Sequence, residues 1–265
     1  MNNVVLFDMD GTLTPPRKPL KENMLEALKN LSNYAKIGIV TGSGFDYIKE
    51  QCDLLFEELP RKTLKQITIL PCNGTQVFEL QDEGWKSTFS LDMRKHLGEH
   101  YFKQLMLALC QAQYMTSVSY NAQLTFSGHF ISYRGSMINW CPIGRLASDN
   151  DRAMFIAFDK EAKLRENVLK SFEASSHMSE KLSFALGGST SIDIYPHGWD
   201  KTHALNHFKD SHCWFVGDRC TDPNGNDKSI YDKVKNINSN AAFETKSTTQ
   251  TIKIINKIIE QIKEE

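Results

Sequence analysis

Short apolar runs alternate with longer segments of helical spacing over the first third of the chain. "NNVVLFDMD" (2–10) reads as a short buried strand. "PLKENMLEALKNLSNYA" follows with apolar residues at 24, 25, 28 and 31, the spacing of one helix face. "KIGIVTGSG" reads as a second buried strand ending in a glycine turn, and "FDYIKEQCDLLFEEL" as a helix. "KQITILPCNGTQVFEL" reads as strand, turn at Asn73-Gly74, and strand. This β-α-β-α-β opening predicts a parallel sheet with ligands at the carboxyl ends of its strands.

The middle of the chain has a different rhythm. A helix is predicted near 92–113, then strand-like "AQLTFSGHFISYRGSMINWCPIG", helical "DKEAKLRENVLKSFEASS" and strand-like "LSFALGGSTSIDIYP", in which Gly-Gly-Ser is a turn. Hairpin-rich α+β content inside an α/β chain predicts an inserted domain over 84–190, with 1–83 and 191–265 forming the α/β core. The core pattern resumes with helical "THALNHF", the apolar run "HCWFVGD" ending in Asp218, and a last helix with apolar positions 252, 254, 255, 258, 259 and 262. No internal repeat interrupts this plan.

Composition narrows the functional classes. The 265 residues carry 31 Lys plus Arg against 32 Asp plus Glu, a net charge of −1, so no global field draws in nucleic acid or an anionic membrane. Any anion site must be local, and the expected partners are small molecules. Six scattered cysteines without a C-x-x-C pair suggest neither a disulfide framework nor a zinc knuckle. With no basic-then-apolar leader and no run approaching the ~18 apolar residues of a spanning helix, the expected location is a reducing cytoplasm.

Asp8 and Asp10 break the first apolar run. Asp is disfavoured inside strands, so two carboxylates one residue apart after "VVLF" call for a chemical reason. At the carboxyl edge of a sheet they can share a divalent cation, and hard oxygen ligands favour Mg²⁺. The cation would let one carboxylate attack phosphorus while its neighbour handles the proton. Gly11 permits a tight turn and Thr12 can donate to an anion; a polar strand end or helix cap is the plainer alternative.

At these residues the chain resembles the haloacid dehalogenase-like phosphotransferases, whose members form an aspartyl-phosphate. "DMDGTLT" resembles their first signature, "IVTGS" the second, "GWDK" the third and "VGDRCTDPNGND" the fourth, in order. More closely, the chain resembles the eukaryotic-type phosphomannomutases over nearly its whole length, through "LFDMDGTLTPPR", "HLGE", "YRGSMINWCPIGR", "GGSTSIDIYPHGWDK" and "GNDKSIYD". The resemblance implies a Rossmann-like core with an inserted C2-type α+β cap. It implies Asp8 as nucleophile, Asp10 as general acid and base, and Ser43 and Lys201 on the transferring phosphoryl group. It implies Mg²⁺ held by Asp8, Asp10, Asp218, Asn226 and Asp227, and substrate contacts from Arg17, Arg134, Arg145, Arg152, Ser191 and Asp193. A hexose 1,6-bisphosphate activator and a homodimer through the cap are implied as well.

Physical reasoning supports two anion sites. A mutase holds a sugar carrying phosphate at both ends, and guanidinium groups suit the non-reacting phosphate because they bind it bidentately. Arg134, Arg145 and Arg152 recur at intervals of 11 and 7 residues, where surface arginines are the plainer alternative for any one of them. The chain also departs from the family pattern. Thr41-Gly42-Ser43-Gly44 stands where Gly-Gly-Ser-Asp is usual, nearer to sugar-phosphate phosphatases, and the fourth signature has an extra residue between Asp218 and Asn226-Asp227. The leading expectation is therefore a mutase of mannose 6- and 1-phosphates, with the glucose phosphates as further substrates. A sugar-phosphate phosphatase is the alternative, with a non-catalytic sugar-phosphate-binding regulator behind it. His96-Leu-Gly-Glu-His100 fits a zinc-protease pattern, but Gly98 inside it and the family's own "HLGE" point to an ordinary helix.

Overall fold

In the computed structural model, which describes residues 2–264, the chain divides into two compact units. One comprises the residues up to Ser90 and from Trp199 onward; the other is Leu91–Gly198. The first stretch contains β1 (Asn3–Phe7), α1 (Glu22–Leu31), β2 (Lys36–Val40), α2 (Phe45–Gln51), α3 (Asp53–Glu58), α4 (Arg61–Leu64), β3 (Ile67–Leu70), β4 (Gln76–Gln81) and β5 (Gly84–Ser90). The inserted unit contains α5 (Met93–Leu97), α6 (Glu99–Ser119), β6 (Ile131–Tyr133), β7 (Ile138–Trp140), α7 (Asp149–Ala162), α8 (Leu164–Ala174), α9 (Ser176–Ser179), β8 (Leu182–Gly187) and β9 (Ser191–Pro196). A 3-10 helix (Lys201–Phe208), β10 (His212–Gly217), α10 (Lys228–Ile237), β11 (Ala242–Glu244) and α11 (Thr248–Glu264) complete the chain.

Among the described residues of the first unit, the strands form one sheet in the order β11-β10-β1-β2-β3-β4-β5. β11 through β3 are parallel, and the β4–β5 hairpin continues the sheet antiparallel. All five residues of β1 are buried, as expected of a central parallel strand covered on both faces. Helix α1 buries Met24, Leu25, Leu28 and Leu31, the very positions its spacing predicts, and packs against α11. Helix α11 buries Ile254, Ile255, Ile258 and Ile259, while Ile252 and Ile262 pack half-buried on the same core. Each fully buried isoleucine stabilises the fold by roughly 1.5–3 kcal/mol, so this last helix is a structural member of the core.

Strand order fixes where a ligand can bind. Successive strands progress from β1 to β2 and β3 on one side, but β10 lies on the other, so the order reverses at β1. Such a switch point opens a crevice at the carboxyl ends of the two adjacent strands. Asp8 follows β1 and Asp218 follows β10, at those two ends.

In the inserted unit an antiparallel sheet runs β6-β7-β9-β8, with Asn139 opposite Asp193 and Gly187 opposite Ser191. The Gly-Gly-Ser segment is the β8–β9 turn, as predicted. The boundaries move, however. β5 (84–90) is paired along β4 and belongs to the larger sheet, whereas β9 pairs with β7 and β8, so the insertion is 91–198 rather than 84–190. The edges of a hairpin carry no composition signal of which sheet they join.

Local predictions need similar adjustment. The helix expected near 92–113 is two, broken at Gly98 with φ +82° and running on to Ser119. Residues 122–130 are not a strand; Gly128 and His129 both have positive φ, which ends pleated structure. The helix expected from Asp159 starts ten residues earlier, at Asp149, where Ser148 and Asp151 form a reciprocal capping box. "THALNHF" winds as a 3-10 rather than an α-helix. No helix among the described residues is long and apolar enough to cross a membrane.

Candidate active site

The end of β1 leads into a tight turn. The Asp8 backbone N–H donates to Val216 O (2.9 Å), continuing the β1–β10 ladder by one residue, and Thr12, Leu13 and Thr14 N–H all converge on Met9 O. Gly11 takes φ +89°, a conformation open to glycine, and the Asp218 carboxylate occupies the space where a Cβ would stand. Two neighbouring strand ends are thereby brought into contact.

Asp8, Asp218 and Asp227 each present a carboxylate oxygen within 4.8 Å of the others. Asp227 is fully buried; its Oδ2 accepts from the backbone N–H groups of Asp218 (3.1 Å) and Arg219 (3.2 Å), and Gly217 leaves it room. Lys201, 1% exposed at the start of the 3-10 helix, donates from Nζ to both Asp8 and Asp227. Three carboxylates against one ammonium leave the buried site two charges short of neutrality. The electrostatics register that deficit. Burial raises the Asp8 carboxyl well above its ordinary range and the nearby Asp227 adds to it, against the pull of Lys201. Asp218 is pushed up to about 7 by the same causes, burial first and Asp227 second. For Lys201, burial favours the neutral amine, but Asp227 and Asp8 outweigh it and the net shift is upward. A divalent, oxygen-seeking cation fits this donor set in charge and in chemistry.

Asp10 is not in the carboxylate set. Its Oδ1 accepts from the Arg17 backbone N–H (2.9 Å) and the Tyr47 hydroxyl (3.4 Å), so this carboxylate is engaged beside the set. The turn between them reverses direction, which alternation along a strand does not anticipate. Arg17 is exposed with φ 57°. Asn226 is half-buried beside Asp227, whose Oδ2 accepts from the Asp218 and Arg219 amides. Ser43 follows β2 on the same carboxyl edge, its N–H donating to Thr41 Oγ1 (3.2 Å).

Asp200 caps the 3-10 helix through Thr202 N–H (2.8 Å) and so fixes the backbone that carries Lys201. Glu244 of β11 accepts from Cys220 N–H (3.0 Å) and Thr221 N–H (2.8 Å), anchoring the loop after Asp218. Sequence reading missed Glu244, because nothing in a short terminal strand advertises a loop anchor.

The inserted unit gathers its own polar set. Arg145 Nη1 donates to Asn139 Oδ1 (3.2 Å), and Asn139 Nδ2 donates to Ser191 Oγ (2.8 Å) and Asp193 Oδ1 (2.7 Å). Arg152 on α7 donates to Thr190 Oγ1 (2.7 Å), Arg145 O (3.1 Å) and Ala147 O (3.3 Å). Four of the residues expected on substrate, Arg145, Arg152, Ser191 and Asp193, are thus joined through Asn139 and Thr190. Arg134 sits on the β6–β7 turn, its N–H donating to Met137 O (2.8 Å). Arg165, also missed, pairs with the buried Asp159 (2.8 Å) and reaches Gly188 O and Ser191 O, bracing the β8–β9 turn. In the zinc-like pattern, Gly98 separates His96 from His100 and Glu99 is held bidentately by Arg94 (2.5 and 2.7 Å).

Known proteins place this arrangement. The family model described as eukaryotic phosphomannomutase matches residues 24–261. The chain belongs to the eukaryotic phosphomannomutase family. It is 34% identical to the phosphomannomutase of Drosophila melanogaster over 97% of this chain and 95% of that one. It is 32% identical to phosphomannomutase 2 of Dictyostelium discoideum over 96% of each. Among solved structures, an IMP-nucleotidase of Plasmodium falciparum superposes with a TM-score of 0.62 at 12% identity, covering 98% of this chain and 71% of that one. Trehalose-6-phosphate phosphatase of Aspergillus fumigatus gives 0.51 at 14%, covering 98% and 93%. These last two share the haloacid dehalogenase-like fold with it. As a family member the chain is an enzyme, an isomerase of the phosphomannomutase type.

Proposed function

We propose that the chain interconverts mannose 6-phosphate and mannose 1-phosphate through an aspartyl-phosphate on Asp8 and a hexose 1,6-bisphosphate intermediate. The observation that carries this is the Asp8–Asp218–Asp227 set with Lys201 bonded into it, in a chain of this family. Phospho-Asp8 gives its phosphoryl group to the free hydroxyl of the monophosphate, and Asp10 takes that hydroxyl's proton. The bisphosphate then reverses. Asp8 attacks the phosphorus at the other end, the bond to the sugar oxygen breaks, and Asp10 returns the proton to it. Lys201 and Ser43 compensate charge on the moving group, the positioning and electrostatic work that dominates phosphoryl transfer.

Asp8, Asp218 and Asp227, with Asp10 and Asn226 as further candidate ligands, would hold Mg²⁺, which when bound would neutralise charge on the phosphoryl oxygens. Arg134, Arg145 and Arg152, with Ser191 and Asp193, would take the non-reacting phosphate and the sugar; Arg17 is a further candidate contact. A hexose 1,6-bisphosphate primes the enzyme by phosphorylating Asp8. A cytoplasmic homodimer paired through the inserted unit, without nucleic-acid or membrane partners, completes the proposal.

A second reading is favoured by Thr41-Gly42-Ser43-Gly44 and by the phosphatase neighbours in fold: the same nucleophile with water as final acceptor. One assay separates them. Protein is incubated with Mg²⁺, mannose 1-phosphate and catalytic glucose 1,6-bisphosphate while mannose 6-phosphate and free phosphate are followed together. Mannose 6-phosphate without stoichiometric phosphate, abolished by Asp8→Asn, is expected; phosphate release with no isomerised sugar overturns the mutase.

A further inference from the structure

Between β3 and β4 the backbone passes through three consecutive residues of positive φ: Cys72 (50°), Asn73 (65°) and Gly74 (80°). All three are buried. Glycine adopts this region freely and asparagine tolerates it, but for cysteine it is an unfavourable conformation that the surroundings must impose. The bonds that impose it run to two different segments of the active site.

On one side, the Cys72 N–H donates to Ser43 O (3.0 Å) and the Asn73 N–H to Thr41 O (2.8 Å). Two successive amides thus grip the loop carrying Ser43. On the other side, Gly74 O lies 3.1 Å from His203 Nδ1 and 2.7 Å from His207 Nε2. A carbonyl only accepts, so each of those ring nitrogens carries the proton. Both histidines stand on the 3-10 helix that begins with Lys201. Asn73 Nδ2 also donates to Trp199 O (3.4 Å), two residues before that lysine. Gly74 fits so closely against Ala204 that a Cβ would lie 2.7 Å from its Cα.

We propose that the Cys72–Gly74 turn is a positioning element for phosphoryl transfer, with Asn73 and His207 as its positioning residues. It rests on the reading above, since Ser43 and Lys201 are the groups it aligns. A left-handed run aims consecutive amides at one neighbouring loop and turns the following carbonyl to the opposite side. The strained turn therefore sets the Ser43 loop and the Lys201 helix against each other as one rigid assembly. Relaxing it displaces groups that act on the moving phosphoryl more than groups that bind the sugar, so kcat falls while KM holds.

The test uses the full-length protein and three variants, Asn73→Gly, His207→Gln and His207→Leu. Glycine accepts the left-handed φ but gives up the Nδ2 bond to Trp199 O, so Asn73→Gly is expected to keep a melting temperature close to that of the wild type while lowering kcat about tenfold at unchanged KM. His207→Gln keeps an N–H for Gly74 O and is expected to retain most of the activity that His207→Leu loses. Hydrogen exchange of the 41–44 and 72–74 amides is expected to quicken in Asn73→Gly and His207→Leu, read without reference to turnover. Unchanged kcat in Asn73→Gly, equal damage from Gln and Leu, or unaltered exchange overturns the proposal. A wild-type protein that neither isomerises nor hydrolyses sugar phosphate sinks the functional reading instead, and exchange alone then decides whether the turn couples the two segments.

Discussion

The carboxylate of Asp218 rests on the α-carbon of Gly11: a Cβ there would come within 2.8 Å of Asp218 Cγ and nearer still to Oδ2. The φ of +89° already disfavours any other residue. Gly11→Ala is therefore expected to push Asp218 out of the carboxylate set as well as to strain the turn, costing about 1–3 kcal/mol. Urea denaturation reads the stability and calorimetry with Mg²⁺ reads the site. A variant that loses stability yet binds Mg²⁺ as the wild type does would show that Asp218 is not a ligand.

A Mg²⁺ ion held by Asp8, Asp218 and Asp227 would compete with protons for these carboxylates. Asp218 titrates at about 7 in the metal-free fold against 3.8 ordinarily, and Asp8 is shifted the same way. An acid whose folded pKa is raised binds more protons folded than unfolded, so its contribution to stability declines as pH climbs from about 4 through 7. His203, held below 6.5 by burial, moves the metal-free curve oppositely, but it cancels when EDTA and Mg²⁺ samples are compared. Mg²⁺ needs the deprotonated ligands, so the Mg²⁺-induced rise in Tm is expected to be several-fold larger at pH 8 than at pH 5. Equal rises at both pH values would remove these carboxylates as ligands.

What the sequence revealed of this site follows from how each residue breaks a local rule. Asp8 and Asp218 were legible because each ends an otherwise apolar strand. Lys201 was legible only through its motif; a lone lysine on a polar helix ordinarily faces water, and its burial depends on Asp8 and Asp227, remote in sequence. The spacing of Asp8 and Asp10 does not tell which carboxylate joins the set and which accepts from the Arg17 amide. Nothing in the short strand "INW" marks Asn139; its burial arises from pairing with β9, more than fifty residues away. The α7 start was readable from Ser148-x-x-Asp151 and was overlooked, whereas the reassignment of β5 and β9 is a matter of pairing partners that local pattern does not encode.

Lys201 supplies the buried positive charge among three carboxylates. Lys201→Met keeps the length of the side chain but strands Asp8 and Asp227 in a dry site, a loss expected to cost about 3–5 kcal/mol in EDTA. Mg²⁺ is expected to restore part of that stability without restoring turnover, since the cation replaces the charge but not the contact to the phosphoryl group. Chemical denaturation with and without Mg²⁺ measures the first and the mutase assay the second. Full activity in Lys201→Met would remove the lysine from the mechanism.

Asn139 ties Arg145, Ser191 and Asp193 together with a side chain 2% exposed. Asn139→Leu leaves those three polar groups without the partner that orients them. The expected result is a KM for mannose phosphates raised at least tenfold, with hydrolysis of a small ester such as p-nitrophenyl phosphate within twofold of wild type. Equal losses on both substrates would make Asn139 a fold residue only.

The Arg152 guanidinium already holds acceptors of its own unit. Its three donors bind Thr190 Oγ1, Arg145 O and Ala147 O, which places it as the brace of the 145–152 segment as well as a candidate phosphate contact. Arg152→Ala is expected to lose about 2 kcal/mol, because three part-buried acceptors lose this donor, together with mutase turnover. Arg145→Ala removes the donor to Asn139 Oδ1 (3.2 Å) and is expected to lose turnover. Both are expected to spare p-nitrophenyl phosphate hydrolysis, because that ester carries no second phosphate. Thermal denaturation and the two assays on the same preparations separate brace from contact: a turnover loss in Arg152→Ala that Arg152→Lys fully repairs would mean that charge alone matters there, since lysine cannot reproduce the planar fork that spans three acceptors.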